Sequence, residues 1–314
     1  MAILILSTSA NEHAKAIYHR LIELGGDVTR FNFDEYSQSK LGFRSNAEST
    51  ILLNDAEIQP DQIQGVFVHH PIPPQLRFPA PDSLDSSLRA ASWRNSIDWF
   101  ENTLKSAMWI NRPSCSRLSA SVLWQLNIAT SQNLRVPETI FTNEINQLKA
   151  FAARHQSIVI KTGPLYGINL VGKRILTRLV NTFEIEEAEL RPAPCLFQEY
   201  VEKAFELRIH VVGKEIYACK IESQKNPHTR IDWRNYRLAE TPHTQFELDN
   251  HLADSCRAIV TQLGLGFGII DAIVTPSGET VFLECNSQGH WLWIEELTGL
   301  PITDAVAKSL LTPN

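Results

Sequence analysis

A pair of short apolar strands near the carboxyl end constrains this chain more than any other feature. The first strand, Gly268 to Val274, is apolar except for Asp271, and the second, Val281 to Asn286, carries Glu284. The turn-forming residues Pro276-Ser-Gly278 lie between them, so the pattern predicts a β-hairpin. The last third of the chain must therefore contain a sheet.

The polar side chains of this hairpin are predicted to converge. Glu284 and Asn286 are two positions apart and share one face of their strand, and Asp271 can lie opposite them. Carboxylates within apolar strands are costly unless they are paired or bound to a metal. Two carboxylates and an amide oxygen are hard ligands of the kind that Mg²⁺ prefers, so the hairpin predicts a magnesium site. From the hairpin alone, a pair of solvated acids is the alternative.

The order of the other elements indicates an α/β fold in the amino-terminal part of the chain and an α+β fold in the carboxy-terminal part. A strand from Ile3 to Leu6, a helix from Glu12 to Leu24 and a strand from Val28 to Phe33 form a β-α-β opening. Because no Gly-x-Gly-x-x-Gly phrase follows the first strand, no dinucleotide site is predicted there. After Pro192 the pattern changes to strands around one helix, Leu248 to Leu263, which is typical of a mostly antiparallel sheet.

Composition narrows the class of protein further. The 314-residue chain has a net charge of −6, which argues against a large basic groove for nucleic acid. No stretch approaches the ~20 apolar residues of a membrane span, and the apolar start lacks the basic region of a signal peptide. The five cysteines are dispersed singly, as reduced thiols are in cytosolic proteins. We therefore expect a cytoplasmic protein without nucleic-acid or membrane partners.

Polar residues upstream of the hairpin match the needs of a nucleotide. Lys161 ends an apolar strand and can reach a phosphate, while Glu199 and Glu206 can accept hydrogen bonds from an exocyclic amine and from ribose hydroxyls. Arg208 shares a strand face with Glu206 and presents a bidentate fork to phosphate or carboxylate. Each residue alone has an ordinary alternative as a solvated charge. Their order and spacing together favour a nucleotide site.

This set of residues resembles the ATP-grasp superfamily of ligases, from about Trp109 to Pro313. The matching elements are a strand lysine, an adenine hinge, a Glu-x-Arg pair and a metal hairpin, namely Lys161, Gln198, Glu199, Val201, Glu206, Arg208, Asp271, Glu284 and Asn286. The separations of seven residues between the two hinge-region glutamates and of 13 between the hairpin carboxylates agree with that superfamily. The resemblance implies ATP and Mg²⁺ as cofactors, with the metal bound by Asp271, Glu284 and Asn286.

The resemblance also implies a division into three subdomains. Residues 1–113 correspond to a pre-ATP-grasp α/β subdomain, and residues 114–194 to a central subdomain that bears the lysine. Residues 195–314 correspond to the carboxy-terminal subdomain, with its mostly antiparallel sheet and metal site.

Three phrases are similar to a narrower family, the microviridin-type ribosomal peptide maturases, or graspetide synthetases. They are Ile231-Asp-Trp-Arg234, the segment from Leu207 to Gly213 and the segment from Gly289 to Ile302. This resemblance implies phosphorylation of Asp or Glu side chains of a precursor peptide, composed of leader and core. Ser, Thr or Lys side chains then close ester or amide rings. Arg208 and Arg234 would steady the acyl phosphate and the transferring phosphoryl group, Asp232 would orient Arg234 or contact the peptide, and a homodimer is implied.

Three positions depart from the pattern of these relatives. Val122 lies where a phosphate-binding lysine is expected, so another cation substitutes or ATP binding is weakened. The substitutes that the sequence offers are Arg117, Lys173 and Arg174. His69-His70 stands in place of a tyrosine-arginine phrase, and Ser287 follows the metal asparagine where proline or threonine is more usual.

Two other functions remain open from the sequence. One is a small-molecule amino-acid ligase on the same scaffold, and the other is a peptide- or nucleotide-binding protein with impaired catalysis, which Val122 motivates.

Near the site, His290 is a weak candidate for a general base, and Trp291 and Trp293 are predicted to pack in the core. The polar segment 222–230 is either a lid or a solvated loop.

Overall fold

The computed structural model of this chain describes residues 2–35, 40–44, 50–71, 84–161, 177–181, 185–234 and 240–312. The strands in these ranges form four sheets. The predicted α/β beginning and the predicted antiparallel carboxy-terminal part are both confirmed.

The amino-terminal part is built around a parallel sheet. Its elements are β1 (Ala2–Ser7), α1 (Glu12–Glu23), β2 (Asp27–Asn32), β3 (Leu41–Arg44), β4 (Thr50–Leu53), β5 (Ala56–Ile58), β6 (Ile63–Val68), α2 (Leu84–Thr103) and β7 (Met108–Ile110). The parallel strands run in the order β2-β1-β6-β7, and β1 is buried on both faces. The separate antiparallel sheet β3-β4-β5 was not predicted, because strands of three or four residues are too short to display an alternation.

The central part carries a small antiparallel sheet. Its elements are α3 (Pro113–Ser119), α4 (Val122–Ser131), β8 (Thr139–Thr142), α5 (Ile145–Ala152), β9 (Ile158–Lys161), β10 (Arg178–Val180), α6 (Glu187–Leu190) and β11 (Cys195–Glu199). The strands run in the order β10-β9-β11-β8. Strand β9 ends at Lys161, and β11 ends with Gln198 and Glu199, so three of the predicted nucleotide residues lie on this sheet.

The carboxy-terminal part contains a five-stranded antiparallel sheet. Its elements are β12 (Phe205–Val212), β13 (Glu215–Ile221), β14 (His243–Phe246), α7 (Asn250–Gln262), β15 (Phe267–Val274), β16 (Thr280–Asn286), α8 (Leu292–Thr298) and α9 (Ile302–Leu311). The strands run in the order β14-β13-β12-β15-β16. Gly278 adopts a φ of +88° in the turn of the predicted hairpin, a conformation that glycine reaches without strain.

The core explains how the site-bearing sheet is held. Helices α4 and α7 cover one face of the sheet, where Leu207, Ile209 and Ala272 are buried. On the amino-terminal side, Trp291 is fully buried among residues of β1, β6, α1 and α9. The segment between β16 and α8 is therefore fixed at both of its ends. No helix within the described ranges combines the length and the apolar character needed to cross a membrane.

Candidate active site

A cleft with about 830 Å³ of empty space lies between the central sheet and the five-stranded sheet. Nine of the eleven site residues predicted from the sequence line it. They are Lys161, Gln198, Glu199, Val201, Glu206, Asp232, Arg234, Asp271 and Glu284. The other two, Arg208 and Asn286, each contact Asp271 directly. Residues from four separate segments thus meet at one place.

The hairpin brings its polar residues together as the sequence predicts. Asp271 of β15 pairs with Glu284 of β16, and the register shifts immediately afterwards so that Ala272 faces Phe282. This β-bulge inserts Leu283 as an extra residue, and Leu283 lines the cleft beside Glu284. The bulge was not predicted, because an inserted residue has no distinctive composition.

An amide connects the two hairpin carboxylates. Asn286 Nδ2 donates to Asp271 Oδ2 at 3.1 Å and to Glu284 Oε1 at 3.3 Å. In this arrangement the amide presents its nitrogen to the carboxylates. Rotation of the amide about its last side-chain bond would present the oxygen instead, because the two ends of an amide are nearly the same shape.

Arg208 neutralises the buried carboxylate of Asp271. Its Nη1 donates to both carboxylate oxygens, at 2.8 and 3.1 Å. Burial raises the pKa of Asp271, while the positive charge of Arg208 acts in the opposite direction. The guanidinium also lies over the Trp233 ring, 5.2 Å from its centroid, a geometry that favours a cation.

Two buried amides, which sequence reasoning missed, position the hairpin. Gln125 of α4 accepts from the backbone N–H of Cys285 at 2.8 Å and donates to the Cys285 carbonyl at 2.8 Å. Asn111 accepts from Gly266 and Phe267 and donates to the carbonyls of Phe267 and Ser287. Each amide makes the backbone hydrogen bonds that a neighbouring strand would otherwise make. Gln125 does so next to the predicted metal residues.

Substitution of Gln125 is expected to destabilise the protein. Gln125→Met keeps the length of the side chain but leaves the backbone groups of Cys285 without partners, which should lower the free energy of unfolding by about 2 kcal/mol. Urea denaturation monitored by fluorescence measures this change. The partly exposed Gln132, at the carboxyl end of the same helix, supplies the control Gln132→Met. Equal stabilities of the two variants would contradict the positioning role.

Asp232 orients Arg234 through a bidentate contact. Arg234 Nε and Nη2 donate to the two Asp232 oxygens at 2.9 and 2.6 Å, and the Thr177 N–H donates to the same carboxylate at 2.9 Å. Burial alone would raise the pKa of Asp232, but Arg234 and the two backbone N–H groups outweigh it and lower the pKa. The same carboxylate raises the pKa of Arg234, which stays charged.

This lowered pKa predicts a pH-dependent contribution to stability. The stabilisation is present above the unfolded-state pKa of about 3.9 and is lost as pH falls through the lower folded-state value. The difference in free energy of unfolding between wild type and Asp232→Asn should therefore be constant near neutral pH and shrink below about pH 4. Urea titrations across this range measure it, with the exposed Asp254→Asn as the charge-matched control. A difference that is independent of pH would contradict the assignment.

Lys161 lies at the centre of a charged environment. Burial lowers the pKa of its ammonium group, and among its electrostatic neighbours are Glu284, Arg234 and Asp232. As the last residue of β9 it pairs with Leu196 and faces the cleft. Because Lys161 lines the same cleft as Asp271 and Glu284, a role in the site is favoured over that of a strand-end lysine that extends to solvent.

Glu206 has a buried partner that sequence reasoning missed. Lys203 Nζ contacts Glu206 Oε1 at 2.7 Å and also donates to the Ile231 carbonyl at 3.1 Å. Burial raises the pKa of Glu206, and the Lys203 ammonium opposes that rise. The spacing of three residues between Lys203 and Glu206 is visible in the sequence, but no role for Lys203 was predicted from it.

The predicted adenine hinge forms the wall between the two sheets. Gln198 Nε2 donates to Thr139 Oγ1 at 2.9 Å, and its buried Oε1 has no hydrogen-bond partner within the described ranges. Glu199 accepts from the Glu138 N–H at 3.1 Å and lies 3.6 Å from Arg135. Val201 lines the cleft beside these residues. A buried acceptor without a partner at the wall of the cleft is suited to a ligand that donates a hydrogen bond.

The position where a phosphate-binding lysine was expected, Val122, has apolar surroundings in the structure. Val122 is the first residue of α4 and packs against the core of the five-stranded sheet. Arg117, on α3, borders a surface pocket with Lys105 and Arg112 and does not line the cleft. Lys173 and Arg174 lie outside the described residues. Among the described residues, the cations that line the cleft are Lys161, Lys203 and Arg234.

The two tryptophans of the carboxy-terminal phrase differ in their surroundings. Trp291 is fully buried, which confirms the core prediction for this residue. Trp293 is partly buried and packs against the same core, as predicted, and it also stacks on Trp233 with ring centroids 5.3 Å apart. Since Trp233 lines the cleft, this stack forms one edge of the site.

The polar segment 222–230 is an ordered turn. It contains a 3₁₀ turn at Ser223–Lys225, and the buried Thr229 donates through Oγ1 to the Ser223 carbonyl at 2.6 Å. Asn226 is also buried. These contacts favour a fixed boundary of the site over a solvated loop.

The chemistry of the hairpin fits a hard divalent cation. Asp271 and Glu284 supply carboxylate oxygens next to each other, and the Asn286 amide can supply a third oxygen by the rotation described above. Within the described ranges there is no group of three or more His, Cys, Asp or Glu side chains arranged to hold a metal. The predicted set therefore depends on an amide and on phosphate oxygens to complete the coordination of the ion.

Comparison with solved structures gives matches over the whole chain. The macrocyclase MdnC from Microcystis aeruginosa MRC, solved with the precursor peptide MdnA, is 25% identical, with a TM-score of 0.83 and 99% of each chain covered. The RiPP-associated ATP-grasp ligase of Chryseobacterium gregarium, solved with ADP and a leader and core peptide, is 25% identical, with a TM-score of 0.83 over 99% of this chain and 96% of that chain.

A third structure, the macrocyclase MdnB from Microcystis aeruginosa MRC, is 24% identical over 99% of both chains and has the same fold, with a TM-score of 0.77. No protein-family model matches the chain, and no curated protein matches it in sequence. The similarity to these ligases therefore rests on the comparison of structures, together with the residues assembled in the cleft. The chain is an ATP-grasp ligase that resembles the microviridin-type ribosomal peptide maturases along its entire length.

Proposed function

We propose that this protein is an ATP- and Mg²⁺-dependent, ADP-forming ligase that acts on a ribosomal precursor peptide. It phosphorylates Asp or Glu side chains of the core and closes ester or amide cross-links with Ser, Thr or Lys side chains. The observation that carries the proposal is the convergence of Lys161, Arg234, Asp271 and Glu284 on one cleft. The two relatives solved with peptides extend over the same length of chain.

The nucleotide is assigned to the wall formed by β9, β11 and the hinge. Gln198, Glu199 and Val201 are proposed to bind adenine, with the unpartnered Gln198 Oε1 as an acceptor. Glu206 is proposed to accept from ribose hydroxyls, held in a fixed position by Lys203. Lys161 is proposed to bind the phosphates, because it lines the same cleft as the carboxylates that would hold the metal.

The metal is assigned to Asp271, Glu284 and Asn286. A bound Mg²⁺ would supply positive charge to offset the negative charge that develops during phosphoryl transfer. Glu284 contributes the more available carboxylate, because Asp271 already accepts from Arg208 and Asn286. Asn286 contributes its oxygen after the amide rotates, and the two carboxylates keep that side chain within reach.

The two arginines are assigned to the transferred group. Arg234 is oriented by Asp232, remains charged and lines the cleft, where it is proposed to bind a phosphoryl group or an acyl phosphate. Arg208 neutralises Asp271 and contacts the backbone of the following loop, which places a positive charge behind the metal residues. Asp232 acts on the reaction through Arg234.

The proposal includes the organisation inferred from the family. Residues 1–113, 114–194 and 195–314 are proposed as the three subdomains, and the protein is proposed to act in the cytoplasm as a homodimer. Size-exclusion chromatography with light scattering tests the assembly.

The function is tested by incubating the protein with Mg-ATP and the short Asp/Glu- and Ser/Thr-rich peptide encoded beside its own gene. The expected result is peptide-dependent release of ADP together with the loss of one water from the peptide for each ring. ADP release with free amino acids and no peptide would instead indicate a small-molecule ligase. Peptide binding without release of ADP would indicate a binding protein, and either result would overturn the proposal.

A further inference from the structure

Four histidines from three separate segments meet at the loop that follows the metal hairpin, between β16 and α8. They are His13 of α1, His69 and His70 after β6, and His290 before α8. The ring centroid of His290 lies 4.7 Å from that of His13, 5.6 Å from that of His70 and 5.7 Å from that of His69. His13 and His69 are buried, whereas His290 is exposed. One member of this histidine cluster therefore reaches the surface with its ring packed edge-on against the others.

His290 is joined to the metal hairpin through a single side chain. Arg208 Nη2 donates to the His290 carbonyl at 3.1 Å, and Nη1 of the same guanidinium donates to Asp271. A side chain on the preceding Gly289 would come within 2.7 Å of Ile269 and 3.3 Å of Arg208, so a larger residue there would force Ile269 to shift. Trp293 also donates to the His290 carbonyl, at 3.2 Å. The loop is thereby fixed against the edge of the cleft.

The carboxylates that line the cleft already have a cation nearby or are assigned to the metal. The described residues that line the cleft include five carboxylates. Asp271 is paired with Arg208, Asp232 with Arg234, and Glu206 with Lys203. Glu199 lies near Arg135, and Glu284 is assigned to the metal. A carboxylate whose oxygens already accept from a cation, or that is assigned to a metal, has fewer lone pairs with which to take a proton from a hydroxyl.

The second step of the proposed reaction requires a proton acceptor. The oxygen of a Ser or Thr side chain attacks the acyl carbon, the bond from that carbon to the phosphate oxygen breaks, and inorganic phosphate leaves. The proton of the hydroxyl must leave as the new ester bond forms. A neutral imidazole within reach of the hydroxyl performs this task near neutral pH.

We propose that His290 is the general base for ring closure, an inference that rests on the proposed ligase function. Its imidazole accepts the proton from the attacking hydroxyl and releases it to solvent, to which this residue is exposed. His13, His69 and His70 set the orientation of its ring, and Arg208 fixes its backbone.

The charge state of the cluster agrees with this role. Partial shielding of the ring by the other histidines, and then the charge of Arg208, lower the pKa of His290, so that its imidazole is neutral at neutral pH. Burial, followed by the charges of His290, His70 and Arg208, lowers the pKa of His13 to about 3. Burial likewise lowers the pKa of His69 well below its usual value. Because the group that accepts the proton must start neutral, the rate of ring closure should rise with pH through the pKa of His290 and then level off.

The test separates ring closure from phosphorylation. Wild type, His290→Gln and His290→Ala are given Mg-ATP and the peptide described above, with ADP and ring formation followed by chromatography and mass spectrometry. Hydroxylamine is added in parallel reactions, because it captures acyl phosphates as hydroxamates without a protein base. His243→Gln is the matched control, since His243 contacts the same Trp293 ring from another strand.

His290→Gln should slow ring closure by about 100-fold or more while hydroxamate yield stays at the wild-type level. The acid limb of the pH–rate profile should disappear, the ADP released per ring should rise, and added imidazole should partly restore ring closure by His290→Ala. Equal loss of hydroxamate and rings, or unchanged ring closure with the wild-type pH profile, would overturn the assignment. Absence of peptide-dependent ADP release in wild type would instead overturn the proposed function.

Discussion

Glu284→Gln is expected to reduce peptide-dependent ADP formation by on the order of 100- to 1000-fold, because the substitution removes the carboxylate charge that would hold the cation while keeping the shape of the side chain. Glu284 is the hairpin carboxylate that a cation can reach most readily, because Arg208 neutralises Asp271. A coupled assay of ADP release at saturating peptide measures the effect. Raising the Mg²⁺ concentration should restore part of the rate, since weaker binding is offset by mass action.

The same hairpin offers a matched control. Glu279 lies in the turn before β16, where its side chain is half exposed and contacts Arg135 at 2.6 Å. Glu279→Gln changes the charge of the protein by the same amount and should leave ADP formation near the wild-type rate. A Glu284→Gln variant as active as Glu279→Gln would contradict the metal assignment.

Arg208→Met is expected to destabilise the fold by about 3–5 kcal/mol, because it leaves Asp271 buried without a compensating charge. The substitution also removes the contact to the His290 carbonyl and the packing over Trp233. Arg208→Lys should recover only part of the loss, since an ammonium group cannot reproduce the planar fork that reaches both partners. Urea denaturation measures the free energy of unfolding for each variant.

A second substitution separates stability from chemistry. Arg208→Met combined with Asp271→Asn removes both buried charges and should regain much of the lost stability, while ADP formation stays low because a metal carboxylate is missing. Arg257→Met removes the exposed pair with Asp254 and should change stability by less than about 0.5 kcal/mol. A double variant no more stable than Arg208→Met would contradict the buried-pair interpretation.

The parts of the site that the sequence predicts are those that depend on local spacing. Glu284 and Asn286 share a strand face because side chains alternate, and the short turn leaves Asp271 no partner strand other than β16 on that side. Lys161 could be placed because it ends an apolar strand of predictable length. These inferences need only the period of a strand and the reach of a turn.

The parts that were missed depend on long-range packing. Asn111 and Gln125 bond to backbone groups about 160 positions away, and no pattern near either residue records that contact. The histidine cluster draws on segments that are neighbours only after the parallel sheet packs against α8. The bulge at Leu283 could not be predicted either, because it is caused by the pairing of two strands and not by the identity of the inserted residue.

The most direct test of the metal hairpin is a crystal structure of the protein with Mn²⁺ and a non-hydrolysable ATP analogue. Manganese takes the same oxygen ligands as magnesium and is located by its anomalous scattering. We predict an anomalous peak about 2.1–2.2 Å from oxygens of Asp271, Glu284 and Asn286, with the triphosphate directed towards Lys161. A peak elsewhere, or a nucleotide bound outside the cleft between β9 and β16, would contradict the account.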